Sequence, residues 1–238
     1  MSKTLKNANA NVDCWRLDGN RAQLALDDFA AAVDIGRPGR GLHELLISGA
    51  RYDWHLLQIG VAAPAQTVVR AFDATWQASD VYVRGNDLIA TYREPLGQPF
   101  NVQIYWRVIE GRSAERLVVE TIVSVQTPNW EAYPGIGVHS TLPPCEVTIA
   151  EDGMHLFRSD ADWGYVELPY PGDFMLAGDN SPDDVLREFR WRFGPQFMER
   201  GVIRRLRIRG AILPRDEMLS ATEELRSDFL AEQPPLTT

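Results

Sequence analysis

Short segments of this chain alternate apolar and polar residues, and a period of two is the signature of half-buried β-strands. The clearest segment covers residues 101–109, with apolar side chains at Val102, Ile104, Trp106 and Val108. Segments 88–93 and 117–125 flank it, so a three-stranded antiparallel meander is predicted here. Turn sequences recur at intervals of about ten residues, a spacing typical of sandwiches and barrels. The same alternation predicts further strands at 22–29, 31–35, 42–47, 68–72, 147–149, 155–158, 165–168, 187–193 and 202–212.

A single helix is predicted near the end of the chain. It follows Pro214, and a pair of prolines at 234–235 ends it. The positions that recur at helical spacing are Met218, Thr222, Leu225 and Phe229. No linker, repeat or low-complexity tract divides the chain. Residues 12–238 are therefore predicted to form one all-β domain, an antiparallel β-sandwich with one C-terminal helix, after a flexible tail at 1–11.

Composition and charge narrow the class of protein. Hydrophobic residues make up 45% of the 238 residues and charged residues 24%, which suits an ordinary globular fold with a sizeable core. A formal net charge of -9 opposes binding to nucleic acid. Residues 1–11 lack an apolar signal segment, and no run approaches the roughly 18 apolar residues of a membrane-spanning helix. We therefore expect a cytoplasmic protein with neither a nucleic-acid nor a membrane partner.

The sequence motifs do not indicate a metal or a cofactor. Cys14 and Cys145 lie far apart and form no close ligand pair. His43 and His55 pair with no second histidine at metal-ligand spacing, and we interpret both as structural. The chain has no Walker loop and no GxGxxG, GxSxG or HExxH motif, so no cofactor is expected.

Two regions resemble the β-supersandwich superfamily that includes galactose mutarotases and other aldose 1-epimerase-like proteins. The first comprises residues 15–24, the glycine-rich turn 36–41 and residues 42–46, and the second is the run of strands at 81–125. The resemblance implies a mutarotase-like sandwich that recognises carbohydrate. The Asn-His-x-Tyr-Phe-Asn-Leu type segment around the catalytic histidine of sugar mutarotases is absent from this chain. The implied function is therefore sugar recognition without the standard catalytic motif.

A candidate ligand face lies on the predicted meander. Its residues, which share one side of the sheet if adjacent strands pair as expected, are Arg93, Gln103, Tyr105 and Arg107. Guanidinium and amide groups can hydrogen-bond a sugar or an anionic sugar derivative while an aromatic ring stacks on it. Trp130 and His139, which follow the meander in a predicted loop region, would complete the site. The alternative is that this face is the solvated side of an antiparallel sheet.

The sequence is compatible with two other functions. In the first, His139 is the general acid/base of an aldose 1-epimerase-type isomerase, with Glu131 or Glu120 as its carboxylate partner. The competing interpretation is that His139 is an ordinary loop histidine. In the second, the protein is an interaction or oligomerisation module, in which an exposed sheet face or edge pairs with another copy.

One arginine-rich segment stands out in this acidic chain. Its members are Arg200, Arg204, Arg205, Arg207 and Arg209. Such a segment either receives an anionic ligand, for example a uronate or a phosphate, or exposes arginine to water or to local carboxylates. Charge runs are usually solvated, so the second interpretation is favoured.

Overall fold

The computed structural model describes residues 14–62, 74–109, 115–143, 146–149, 155–158, 162–176 and 187–232. The predicted tail at 1–11 and the predicted strand at 68–72 lie outside these ranges. The strands are β1 Trp15–Asp18, β2 Arg21–Ala25, β3 Phe29–Asp34, β4 Leu42–Ile47, β5 Ala50–Tyr52, β6 His55–Ala62, β7 Ala78–Arg84, β8 Asp87–Tyr92, β9 Asn101–Ile109, β10 Leu117–Gln126, β11 Glu131–Ala132, β12 Gly135–Leu142, β13 Glu146–Ile149, β14 His155–Arg158, β15 Trp163–Pro169, β16 Met175–Leu176, β17 Arg187–Phe193, β18 Met198–Glu199 and β19 Ile203–Pro214. Helix α1 spans Met218–Ala231.

These strands form two large sheets and one small ribbon. The eight-stranded sheet has the order β13-β14-β15-β19-β10-β9-β8-β7. The nine-stranded sheet has the order β1-β2-β3-β4-β6-β12-β17-β16, with β5 paired to β4, and β11 pairs with β18 in the ribbon. The described strand pairs are antiparallel, including those around the central strands β10 and β12. The prediction of an antiparallel β-sandwich with one C-terminal helix is confirmed.

The predicted meander is confirmed as strands β8, β9 and β10. Alternate residues of β9 point into the core between the sheets, and Trp106 among them is fully buried. Strand β10 is buried along nearly its whole length, because its outer face is covered as well. The core therefore lies where the period-two pattern places it, between the two sheets.

The first predicted strand, 22–29, is divided in the structure. Strand β2 ends at Ala25, and β3 begins at Phe29. Aspartates at 27–28 suit a turn better than the interior of a strand. The backbone N–H of Leu26 donates to the carbonyl of Phe29 at 2.8 Å and closes this turn.

A buried carboxyl group connects the two sheets through the core. Glu167 on β15 has no solvent exposure. Its Oε2 accepts a hydrogen bond from Trp191 Nε1 on β17 at 2.7 Å. Its Oε1 accepts one from the hydroxyl of Tyr165 at 3.1 Å and a short one from the hydroxyl of Ser140 on β12. Ser140 Oγ in turn accepts the backbone N–H of Leu57 at 2.9 Å.

Helix α1 covers part of the outer face of the eight-stranded sheet. Its buried side chains Met218, Ala221 and Phe229 pack against Val118, Leu168, Ala211 and Leu213. Arg116 binds the start of the helix, because its guanidinium donates to Glu217 at 2.8 Å and to Glu224 at 3.1 Å. Among the described residues, no helix is long and apolar enough to cross a membrane.

The Glu167 carboxyl predicts a pH-dependent effect of Glu167→Gln. Burial raises the pKa of Glu167, so the folded state binds this proton more tightly than the unfolded chain does. The resulting stabilisation is complete below the unfolded-state pKa and is lost as the pH rises through the folded-state pKa. Relative to the variant, the wild type should therefore lose free energy of unfolding as the pH rises above the ordinary glutamate pKa of about 4.3, measured by urea denaturation.

Glu199→Gln on the exposed side of strand β18 is the matched control for this experiment. It reports the effect of removing an exposed carboxyl group over the same pH range. A pH-independent difference between the wild type and Glu167→Gln would contradict a carboxyl group that retains its proton in the core.

Candidate functional site

The predicted ligand face is the outer face of the eight-stranded sheet, beside helix α1. Gln103 lies opposite Thr91 on β8 and opposite Ser124 on β10, so the three polar side chains form one row across adjacent strands. Arg93 directly follows β8 and is exposed. The structure thus brings Arg93 and Gln103 together, as the sequence predicts.

A cleft of about 170 Å³ opens at this place. Its lining residues are Thr91, Arg93, Asn101, Val102, Gln103, Ser124, Gln126 and Ile203. The lining contains hydroxyl, amide and guanidinium groups but no carboxylate. Hydroxyl and amide groups both donate and accept hydrogen bonds, so this wall suits a ligand rich in hydroxyl groups.

Hydrogen bonds hold the Gln103 amide in one orientation. Its Nε2 donates to the hydroxyl of Thr91 at 3.0 Å, and its Oε1 accepts the hydroxyl of Tyr105 at 2.7 Å. Tyr105 is buried, and burial raises its pKa, so its phenol stays protonated as the donor. Tyr105 therefore orients the Gln103 amide and is not among the lining residues of the cleft.

Arg107 also stands apart from the cleft. Its guanidinium donates to both oxygens of Asp87, at 2.7 and 2.8 Å, in a bidentate pair. The same residue lies opposite Glu120 on β10, between two carboxylates. A ligand would have to compete with Asp87 for Arg107, because Asp87 already accepts two parallel hydrogen bonds from this guanidinium. The predicted ligand-binding role of Arg107 is therefore opposed by this ion pair.

The arginine-rich segment is partly buried, which its sequence pattern did not reveal. Arg207 and Arg209 are 2% and 1% exposed, and their Nε atoms donate to the two oxygens of Glu120 at 2.6 and 3.0 Å. The ring of Phe229 covers both guanidinium groups at 4.7 and 4.3 Å, and Glu232 closes a short ion pair with Arg209. For these two arginines the expected local carboxylate is present as Glu120, but exposure to water is not, because helix α1 covers them.

The structure does not bring His139 to the ligand face. It lies within strand β12 of the nine-stranded sheet, opposite Gln58 and Arg190, and is buried rather than in a loop. Glu120 belongs to the other sheet, where two arginines bind it. Glu131 is exposed on ribbon strand β11, opposite Glu199. The chain crosses from one sheet to the other between β10 and β12, and this crossing separates the predicted partners.

Trp130 lies at the same crossing and is the most exposed large apolar side chain described, at 81%. The guanidinium carbon of Arg200 lies 5.5 Å from the centre of its ring. Such a distance is in the range of a cation–π contact, which leaves the other ring face open to solvent or ligand. The aromatic platform predicted at Trp130 is therefore accessible.

A second group of polar side chains holds the glycine-rich turn 39–41, and the sequence analysis did not bring its members together. Three side chains donate to three consecutive backbone carbonyls. Gln58 Nε2 donates to Gly39 at 2.8 Å, His55 Nδ1 to Arg40 at 3.1 Å and His43 Nδ1 to Gly41 at 3.1 Å. Gly41 has φ +58°, and a Cβ there would lie 2.1 Å from the carbonyl oxygen of Leu56. Glycine is required at this position, because the turn lies directly against β6.

This arrangement fixes the tautomer of both histidines. A carbonyl oxygen only accepts, so Nδ1 of His43 and His55 must carry a proton, and Nε2 is the acceptor in the neutral ring. The His43 ring is 1% exposed, and its Nε2 lies 3.8 Å from Glu44 Oε1. Burial lowers the pKa of His43, which keeps the ring neutral. The described residues contain no group of three or more His, Cys, Asp or Glu that could hold a metal ion.

We predict that ring ¹⁵N spectra of the folded protein at neutral pH will show His43 and His55 protonated at Nδ1. On acidification, His43 should stay neutral below the ordinary histidine pKa of about 6.5, because its charged form loses hydration in the sheet. N-acetylhistidine in the same buffer is the reference. A neutral ring that carries its proton on Nε2 and leaves Nδ1 bare, in either histidine, would overturn the assignment of donors at the turn.

No protein-family model matches this sequence, and no curated protein matches it. Solved structures do. A galactose mutarotase-like protein from Lactobacillus casei ATCC 334 aligns over 80% of this chain and 99% of its own, with a TM-score of 0.50 and 10% identity. A heparan sulfate lyase mutant from Pedobacter heparinus aligns over 78% of this chain and 33% of its own, with a TM-score of 0.50 and 9% identity.

A third match, a 4-alpha-glucanotransferase from Thermococcus litoralis, covers 82% of this chain and 38% of its own at 13% identity, with a TM-score of 0.43. The chain thus spans little more than a third of the glucanotransferase and a third of the lyase. At such identities the likeness concerns the fold. The protein is an antiparallel β-sandwich with the galactose mutarotase-like fold.

Proposed function

We propose that this protein recognises carbohydrate, with the cleft on the outer face of the eight-stranded sheet as its binding site. The observation that carries the proposal is a wall of uncharged hydrogen-bonding side chains from three adjacent strands. These side chains are Thr91, Asn101, Gln103, Ser124 and Gln126. A sugar presents hydroxyl groups that donate and accept, so each of these groups finds a partner on it.

Ser124 adds a specific argument. It is 9% exposed, and its Oγ has no hydrogen-bond partner among the described residues, although it lines the cleft. A buried hydroxyl without a partner is costly, and a water molecule or a ligand hydroxyl in the cleft would satisfy it. The cleft is smaller than the roughly 300–1,000 Å³ of drug-sized pockets, so a single sugar ring fits it best.

Charge at the cleft favours an anionic sugar derivative over a neutral one. Arg93 is exposed at the rim, and the lining residues include no carboxylate that would neutralise it. The planar guanidinium matches a carboxylate or phosphate with two parallel hydrogen bonds. Uronic acids and sugar phosphates are therefore the preferred ligand class within the proposal.

Arg93→Ala and Gln103→Ala should each weaken binding of an anionic sugar by about tenfold, since each removes a hydrogen-bonding partner of the ligand. The measurement is saturation-transfer NMR followed by calorimetry, against neutral sugars, uronic acids and sugar phosphates. Arg51→Ala, on the exposed strand β5 of the other sheet, is the matched control and should bind like the wild type. Absence of binding across the panel, or equal losses in the control, would reject this site.

An aldose 1-epimerase-type isomerase is the second candidate function. Opening and closing a sugar ring needs a base for the anomeric hydroxyl and an acid for the ring oxygen. The fixed Nδ1–H groups favour this candidate, because Nδ1 of half-buried His55 donates to the carbonyl of Arg40 and Nε2 is the ring nitrogen left to accept a proton. In this candidate His139 on β12 is the other imidazole, and Glu44 on β4 of the same sheet is the carboxylate in place of Glu131 and Glu120.

Anomer exchange separates the two functions. With recognition alone, the wild type should bind sugar without accelerating exchange between α and β anomers, followed by ¹H NMR from a freshly dissolved single anomer. The epimerase candidate predicts accelerated exchange that disappears in His139→Gln or His55→Gln but survives in Gln103→Ala. This result would reject recognition at the cleft in favour of epimerisation at the nine-stranded sheet.

A further inference from the structure

Strand β7 forms one edge of the eight-stranded sheet. It pairs with β8 on one side, and no described strand pairs with its other side. With seven residues it is the longest strand at a sheet edge, since β1 and β13 have four each and β16 has two. A long exposed edge presents unpaired backbone N–H and C=O groups that can pair with another strand.

Apolar and charged residues of this edge lie at equal distances on either side of Tyr82. Val81 and Val83 flank Tyr82 and pack against the core, while Asp80 and Arg84 lie one step further out. Tyr82 lies opposite Ile89, on the outer face that also carries Tyr105. Because alternate residues share a face, Asp80, Tyr82 and Arg84 all belong to this outer face. Tyr82 is 37% exposed and the Arg84 side chain 57%.

We infer that β7 is a self-association edge at which two copies of this chain pair antiparallel about a two-fold axis through Tyr82. In this register Asp80 lies opposite Arg84 of the second copy, and the two-fold axis repeats the pair. Val81 lies opposite Val83 and continues the core, and the two Tyr82 rings face each other. The same surface serves both copies, as an isologous dimer requires.

Other registers lose these contacts. A shift of one residue places Asp80 beside Val83 and so puts a charge on the core side. An axis through Asp80 pairs two carboxylates, and an axis through Arg84 pairs two guanidinium groups. Like charges directly opposite each other destabilise a strand pair, whereas opposite charges stabilise it. The charges at the two ends therefore select the register centred on Tyr82.

The dimer is expected to be weak and concentration-dependent, because only five residues of each copy pair. Arg84 must also exchange its exposed contact with Asp87, whose carboxylate lies 3.6 Å away. Pairing would join two eight-stranded sheets into one continuous sheet, with both clefts on the same face. This follows from the shared outer face and does not depend on what the clefts bind.

A charge swap tests the inference, with the full-length chain in sedimentation velocity at low salt. The wild type should dimerise with rising concentration. Asp80→Arg and Arg84→Asp should each raise the dissociation constant by about tenfold or more, since each turns two attractive pairs into two repulsive ones. The double variant Asp80→Arg/Arg84→Asp should recover wild-type dimerisation. An equimolar mixture of the two single variants should form a heterodimer.

Arg51→Asp on the exposed strand β5 of the nine-stranded sheet carries the same charge change away from β7 and should dimerise like the wild type. Circular dichroism of every variant verifies the fold, and the mixing experiment shows that each single variant keeps a competent edge. A wild type that stays monomeric at the highest concentration overturns the inference. So does a double variant that fails to recover, or single variants that dimerise unchanged.

Discussion

The sandwich depends on how its core accommodates one carboxyl group. Removing Glu167 from water is costly unless its oxygens are hydrogen-bonded, and the structure supplies donors from Ser140, Tyr165 and Trp191. Ser140 and Trp191 come from the nine-stranded sheet, so satisfying the carboxyl fixes one sheet against the other. Gly210 lies opposite Glu167, and a Cβ there would meet the Tyr165 hydroxyl at 2.5 Å. The glycine thus leaves the space that this polar contact needs.

The outer face of the eight-stranded sheet divides along β10. On one side, helix α1 covers a row of alternating charge in which Arg209 lies opposite Glu120, and Glu120 opposite Arg107. On the other side, Arg107 ends the row at Asp87, and the face stays open. Because these charges neutralise one another within the sheet, the cleft that remains presents neutral polar groups and one arginine.

The two candidate functions belong to opposite sheets, and the core lies between them. The cleft on the eight-stranded sheet offers hydrogen bonds without an acid/base group, whereas the nine-stranded sheet offers imidazoles with preset tautomers. The similar solved structures share the fold, and a fold of this kind hosts more than one chemistry. The side chains at each face therefore decide the function, and self-association through β7 would leave both faces in place.

Side-chain alternation and turn residues are local properties, so the sequence was enough to predict the meander β8–β10, the sandwich class, the C-terminal helix and the common face of Arg93 and Gln103. It did not predict β6 or β12, the central strands of the nine-stranded sheet, because a strand such as β12 is buried on both faces and shows no alternation. It did not determine that Arg207 and Arg209 are buried, since helix α1, which covers them, comes later in the chain. Nor did it separate His139 from that face, because sheet membership depends on pairing between distant strands. Tertiary structure decided these points, since alternation gives each strand two faces but does not say what packs against either.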